Sequence, residues 1–121
     1  MERSGAHNQL GLQGETLAAD FLVAKGYQLL ERNLNLKIGE IDLLFEDGQT
    51  VVLVEVKTLR IARHFNPLEK IDWAKQKKLQ LLSLIVSARY PERNVRVDAV
   101  TIYWLTGINK PIINHLENIL Q

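Results

Sequence analysis

The sequence predicts an α/β domain in which a mixed central β-sheet is flanked by helices, in the order helix, three strands, helix, two strands. Three observations carry that expectation: two stretches of helical apolar spacing, a hairpin signal between two apolar strands, and two strand-like segments after the second helix. The chain of 121 residues is 46% hydrophobic and 24% charged, and reads as one domain over 1–121 with no linker. A domain of that size can bury a core without staples.

The first helix is expected from about residue 8 to 25, where Leu10, Leu17, Phe21 and Leu22 recur at helical spacing with Gly14 and Ala18 between them. Gly26 stands where a C-cap belongs. Tyr27–Arg32 is a short strand candidate. Glu40–Glu46 and Val51–Lys57 are better ones, joined through Asp47-Gly48, a strong hairpin signal. The second helix begins with Asn66 as N-cap, Pro67 at the first helical position and Glu69 at the capping-box position. Its apolar stripe is Leu68, Ile71, Ala74, Leu79, Leu82 and Ile85, and Pro91 lies beyond its end. Val95–Trp104 and Pro111–Leu116 read as the last two strands.

Several function classes fall away at once. The chain has no cysteine, so disulfides and Cys-based zinc sites are excluded. His7, His64 and His115 are too far apart in sequence for a ligand pair at helical spacing. The start, Met1-Glu2-Arg3-Ser4-Gly5, lacks the apolar run of a signal peptide, and no stretch is expected to span a bilayer, so the expected location is the cytoplasm. The formal charge of +1 does not suggest nucleic acid, but its distribution does. From Lys57 to Lys78 the basic residues Lys57, Arg60, Arg63, Lys70, Lys75, Lys77 and Lys78 face only Glu69 and Asp72, an excess suited to a phosphate backbone. The plainer alternative is a solvated, Lys-rich helix face.

The chemistry lies in Gly39-Glu40-Ile41-Asp42 and Val54-Glu55-Val56-Lys57. Alternation puts Glu40 and Asp42 on one face of their strand, and Glu55 and Lys57 on one face of theirs. If the connection is Asp47-Gly48 alone, Asp42 faces Leu53 and lies diagonal to Glu55. If it runs from Asp47 to Thr50, Asp42 lies directly opposite Glu55. Both registers gather Asp42, Glu55 and Lys57 on one face. Val51 and Leu53 share the Glu55 face while Val52, Val54 and Val56 fill the other, as in a central strand. Carboxylates at the end of such a strand repel one another and lose hydration, which raises their pKa values. A divalent cation removes that conflict, and hard oxygen ligands suit Mg²⁺ or Mn²⁺. Such an ion can polarise a phosphate oxygen and activate water, with Lys57 steadying the attacking water or the charge developing on phosphorus. The plainer alternative is a cross-strand ion pair in which Lys57 neutralises Asp42 or Glu55.

At these residues the chain resembles the PD-(D/E)XK, restriction-endonuclease-like nuclease superfamily. More closely, it resembles the YraN family of small bacterial proteins related to archaeal Holliday-junction resolvases. The carriers are Gly14-Glu15 with Ala18, Gly26-Tyr27, Asn33, Gly39-Glu40-Ile41-Asp42 and Val54-Glu55-Val56-Lys57-Thr58. Lys75 with Leu79, Arg96-Val97-Asp98 and His115 complete them, so the likeness covers most of the chain. It implies that Asp42 and Glu55 are metal carboxylates and that Lys57 is the superfamily lysine. Glu15 would be the extra acid that the resolvase branch supplies from its first helix. That residue lies three before Ala18 and seven before Leu22, at the border of the buried stripe; the alternative is an ordinary exposed helix Glu. Lys75 and Gln76 have a family counterpart as polar groups at the active edge, and resolvase relatives act as homodimers. Three positions depart from the family pattern. Leu59 with Arg60 following stands where Arg is usual, Phe65-Asn66 replaces Phe-Gly, and Val97 replaces an aromatic residue. None is a metal acid, while the first bears on phosphate contacts.

The expected function is therefore metal-dependent phosphodiester hydrolysis on nucleic acid, DNA before RNA, with a branched substrate in view. Glu15, Asp42 and Glu55 would hold Mg²⁺ or Mn²⁺, with Lys57 assisting. Arg60, Arg63, Lys75, Gln76, Lys77 and Lys78 would meet the nucleic acid. Two alternatives stand beside it: a nucleic-acid-binding module without turnover, and a structural protein with an ion-paired hairpin. Arg96 with Asp98 and His115 read as structural polar groups, and Trp73, Tyr103 and Trp104 as packing residues.

Overall fold

The computed structural model describes residues 5–61, 75–105 and 107–120. Seven elements follow in the expected order: α1 (Gly5–Ala24), β1 (Gln28–Leu36), β2 (Gly39–Asp47), β3 (Thr50–Ile61), α2 (Gln76–Arg89), β4 (Asn94–Leu105) and β5 (Pro111–Leu116). The strands form one mixed sheet in the order β1-β2-β3-β4-β5. The pairs β1–β2, β2–β3 and β4–β5 are antiparallel, whereas β3 and β4 run parallel. Two strands running the same way need a long crossover, and the segment containing α2 supplies it.

Local chemistry sets the element ends. Gly26 adopts φ +100 after α1. The Gly26 N–H donates to the Val23 carbonyl at 2.9 Å and the Tyr27 N–H to the Leu22 carbonyl at 3.0 Å, the two bonds of a Schellman cap. In the β2–β3 hairpin Asp47 pairs with Thr50 and Glu46 with Val51, leaving Gly48-Gln49 as the turn, with φ +60 at Gly48. This is the second of the two expected registers, the one that sets Asp42 against Glu55.

Helices cover both faces. Ala18, Ala19 and Leu22 of α1 pack with Leu43, Phe45, Val52, Val54, Val100 and Ile102. On the other side Leu79, Leu82 and Val86 of α2 pack with Ile41, Leu44, Val51, Leu53 and Val97. All four residues Val51, Val52, Leu53 and Val54 are buried, so β3 is the central strand its composition predicts. Burial of each such side chain stabilises by about 1.5–3 kcal/mol relative to exposure.

Three element assignments are corrected. The first strand, expected at Tyr27–Arg32, runs from Gln28 to Leu36, and β3 continues past Lys57 to Ile61. The buried residue after Leu82 is Val86, while Ile85 is half-buried. The expected helix start at Asn66, Pro67 and Glu69, and Leu68, Ile71, Trp73 and Ala74, lie outside the described residues. Among the described residues no helix is long and apolar enough to cross a membrane.

Asp98 ties β4 to β5 and to the chain end. It is fully buried and accepts Arg96 Nε at 2.8 Å, Arg96 Nη2 at 3.0 Å and the Asn118 N–H at 2.9 Å. His115 Nε2 lies 2.8 Å from its second oxygen, and Lys25 Nζ lies 2.8 Å from His115 Nδ1. A lysine ammonium only donates, so Nδ1 accepts and Nε2–H donates to Asp98. The structural reading of Arg96, Asp98 and His115 holds.

Candidate active site

The site forms where β2 and β3 part. Their ladder ends at Leu43–Val54, and two residues further along β3 the Val56 N–H donates to Asp42 Oδ2 at 2.8 Å. The Asp42 side chain thus takes an acceptor role that the β2 backbone would otherwise fill. Ile41 belongs to the α2-side core and Leu43 to the α1-side core, so strict alternation breaks at Asp42. Asn33 lies between two residues paired with Ile41 and Leu43, and it holds a left-handed φ of +52. A left-handed residue turns the strand locally, and Asn tolerates that geometry better than most side chains. The expectation of unbroken alternation through Glu40 and Asp42 is corrected accordingly.

Asp42 is half-buried, and its carboxyl is pushed up from 3.8 to about 7. Loss of hydration is the first cause and the neighbouring Glu55 charge the second. The Val56 N–H pulls the other way, Glu15 adds a smaller upward push, and Lys75 a smaller downward one. Acids from two other elements, Glu55 on β3 and Glu15 on α1, therefore act on Asp42. Glu55, on β3, keeps 18% of its side chain exposed and forms an ion pair with Lys75, just before α2. Glu15 is 6% exposed, so it is no ordinary surface glutamate. Its neighbour Gly14 explains how α1 comes so close: a Cβ there would stand 1.9 Å from Thr58 Oγ1 on β3. A larger residue would force the Thr58 side chain, or the helix with Glu15, to shift.

Lys57 is exposed and lies with Glu55 and Lys75 along a cavity of about 120 Å³ on the α2 side of the sheet. Gln76 also lines it and donates to the Ile119 carbonyl at 3.4 Å, a long hydrogen bond. Lys77 and Lys78 are exposed on α2, and the Lys78 stem passes Gly39, its Cδ 3.2 Å from where a Cβ would stand. The Arg60 side chain and all of Arg63 lie outside the described residues. Among the described residues no three histidine, cysteine or acidic side chains stand close enough to hold a metal ion.

The structure thus brings together Asp42, Glu55, Lys57, Glu15, Lys75 and Gln76 at one edge, with Lys77 and Lys78 further along the helix. Sequence reasoning placed Lys75 at this edge but missed its pairing with Glu55, which spans twenty positions. Ala99 and Thr101 were missed as well. Parallel register sets them beside Glu55 and Lys57, a pairing with no signature in either strand alone.

The family model described as Uncharacterised protein family UPF0102 matches residues 14–102, the span that carries Glu15, Asp42, Glu55, Lys57, Lys75 and Thr101. The chain is 38% identical over 114 residues to a UPF0102 protein of Thermodesulfovibrio yellowstonii, covering 93% of this chain and 96% of the relative. It is 41% identical over 116 residues to a UPF0102 protein of Syntrophomonas wolfei, covering 93% and 97%. A third relative, a UPF0102 protein of Clavibacter michiganensis, is 41% identical over 100 residues, covering 81% and 85%.

Proposed function

The chain belongs to the UPF0102 family, and we propose that it is a metal-dependent nuclease, hydrolysing phosphodiester bonds in DNA at the edge formed by Asp42 and Glu55. The observation that carries this reading is the Asp42 carboxyl, held at about 7 by burial and by the Glu55 charge, where β2 parts from the central strand β3. A purely structural site relieves such a conflict with apolar residues or a full complement of cations. A catalytic one keeps it.

The donor set fits a hard divalent cation. Carboxylate oxygens are the ligands Mg²⁺ and Mn²⁺ prefer, and the mutual repulsion that lifts Asp42 is what an added positive charge reverses. Asp42 and Glu55 would hold the ion, with Glu15 adding negative charge from α1. When bound, such an ion supplies Lewis-acid charge to a phosphoryl oxygen. The Val56 N–H orients Asp42, and the burial of Glu15 keeps water from screening the cluster. The exposed Lys57 ammonium, along the same cavity as Glu55, would offset negative charge developing on phosphorus. Lys77 and Lys78 present cations to the phosphate backbone.

A second reading is a nucleic-acid-binding module of the same fold without turnover, favoured by the Lys75–Glu55 ion pair, which already gives one acid a counter-charge. Cleavage of labelled duplex, single-strand, flap and four-way-junction DNA in Mg²⁺ and in Mn²⁺ separates the two. The nuclease reading expects metal-dependent strand breaks that Glu55→Ala abolishes. Binding without breaks on every substrate, in both metals, would leave the module.

A further inference from the structure

The cavity beside the acids has a composition that phosphate binding alone does not require. Its walls include Leu79 from α2, Ala99 from β4 and Ile119 from the C-terminal segment, all apolar. Thr101 also lines it, fully buried, with a hydroxyl that finds no hydrogen-bond partner. Gln76 brings an amide whose nitrogen makes a long bond to the Ile119 carbonyl. Glu55, Lys57 and Lys75 lie along the same cavity. Apolar walls, two neutral polar groups and a charged margin describe a slot for a ring that carries hydrogen-bonding edges and is attached to an anion.

We propose that this cavity receives an unpaired pyrimidine base of the nucleic-acid strand, with the sugar and phosphate left outside at Lys57. Size selects the ring. An apolar cavity of about 150 Å³ holds benzene, so the 120 Å³ here admits at most one six-membered ring, part of it left outside, and not a fused purine. Chemistry selects the heterocycle. A pyrimidine edge offers both donors and acceptors to the Gln76 amide and, after a small rotation of its side chain, to the Thr101 hydroxyl. The base must be unpaired, because a paired one keeps that edge against its partner and its faces in the stack. The inference rests on the nuclease reading for the place of the phosphate, and it narrows the substrate to strands with unpaired nucleotides near the cleaved bond.

The test uses the full chain, ¹⁵N-labelled and without metal, titrated with 2′-deoxycytidine 5′-monophosphate, 2′-deoxyadenosine 5′-monophosphate and 2-deoxyribose 5-phosphate. The cytidine nucleotide should shift the amides of Leu79, Ala99, Thr101 and Ile119, and the sugar phosphate should not. The adenosine nucleotide should bind at least about 5-fold more weakly, the scale of a ring that a pocket cannot close on. Thr101→Val keeps the shape and removes the hydroxyl, and should weaken the cytidine nucleotide by about 3- to 10-fold. Ala99→Leu should fill the slot and remove the base-dependent shifts. If that variant fails to fold, Thr101→Val and the ligand series still decide. Equal shifts from all three compounds, or shifts at the lysines alone, would overturn the proposal in favour of a phosphate contact. Metal-dependent cleavage without base-dependent shifts would reject the slot and keep the nuclease. Base-dependent shifts in a protein that cleaves nothing would keep the slot and reject the nuclease.

Discussion

Lys75 and Glu55 form an ion pair across the gap between the start of α2 and the middle of β3. The ammonium also lowers the Asp42 pKa, so one lysine partly neutralises both acids of the candidate metal site. A divalent cation entering that site must displace or tolerate it. Lys75→Gln should therefore tighten Mn²⁺ binding by about 10-fold or more, since one unit charge about 4 Å from a divalent ion is worth about 2 kcal/mol even at the dielectric constant of water. Calorimetric titration of wild type and variant measures the ratio. Unchanged or weaker binding would mean that Lys75 does not compete with a cation there.

Asp42 makes stability depend on pH in an unusual direction. Its folded pKa of about 7 lies above the 3.8 of an ordinary aspartate, so between those values the native state binds more protons than the unfolded chain. Stability from this group is complete below about pH 4, falls as pH rises through the window, and is lost above about pH 7. At about 1.4 kcal/mol per pKa unit the penalty is on the order of 4 kcal/mol. Asp42→Asn retains an acceptor for the Val56 N–H, so without metal it should raise the unfolding free energy at pH 8 and leave it unchanged at pH 4. Urea denaturation at both pH values measures this, and equal effects at the two would contradict the assigned shift.

Asp98 should respond with the opposite sign. It is buried with Arg96, His115 and the Asn118 N–H all directed at it, so its charge is matched and not opposed. Asp98→Asn should cost about 3 kcal/mol by removing the buried carboxylate that Arg96 donates to, for which Asp47 and Glu117, each 3.8 Å from Arg96 Nη1, are weaker substitutes, and should not change Mn²⁺ affinity in the folded protein. A stabilising Asp98→Asn, or one that weakens the metal, would place this network in the functional site.

Lys77 and Lys78 are exposed on α2, while Lys75 is engaged with Glu55. Only the first two are then available to phosphates, and Lys77→Ala with Lys78→Ala should flatten the log–log salt dependence of DNA binding by about 2 units. Affinity should drop similarly for unrelated sequences, since phosphate contacts carry no sequence information. A slope that does not move would make this helix face a solvated surface and turn the search toward Arg60 and Arg63.

Much of this arrangement was legible in the residues, and the limits have physical causes. Gly48 and Gly26 announce their turns because each needs a positive φ that other residues avoid. The four apolar residues Val51–Val54 identify a strand covered on both sides, and Asp47↔Thr50 is one of only two registers that bring the acids together. The break at Asp42 was hidden, because alternation assumes an unbroken pleat and nothing in Ile41-Asp42-Leu43 signals a change of face. Its cause sits on the neighbouring strand, at Asn33. Pairing of Lys75 with Glu55, and the placing of Thr101 beside Lys57, depend on how a crossover returns to the sheet. Local periodicity does not encode that return.

The central claim, that Asp42 and Glu55 serve metal-dependent hydrolysis and not binding alone, is tested most directly by comparing wild type with Asp42→Asn on one labelled single-stranded DNA in Mn²⁺. Strand cleavage and equilibrium binding are measured in the same buffer. The account predicts that cleavage falls by about 100-fold or more, the scale on which removing one positioned catalytic group acts, while affinity for the strand stays within about 2-fold, because no phosphate contact is removed. Equal cleavage by the two proteins, or cleavage by neither, would contradict it.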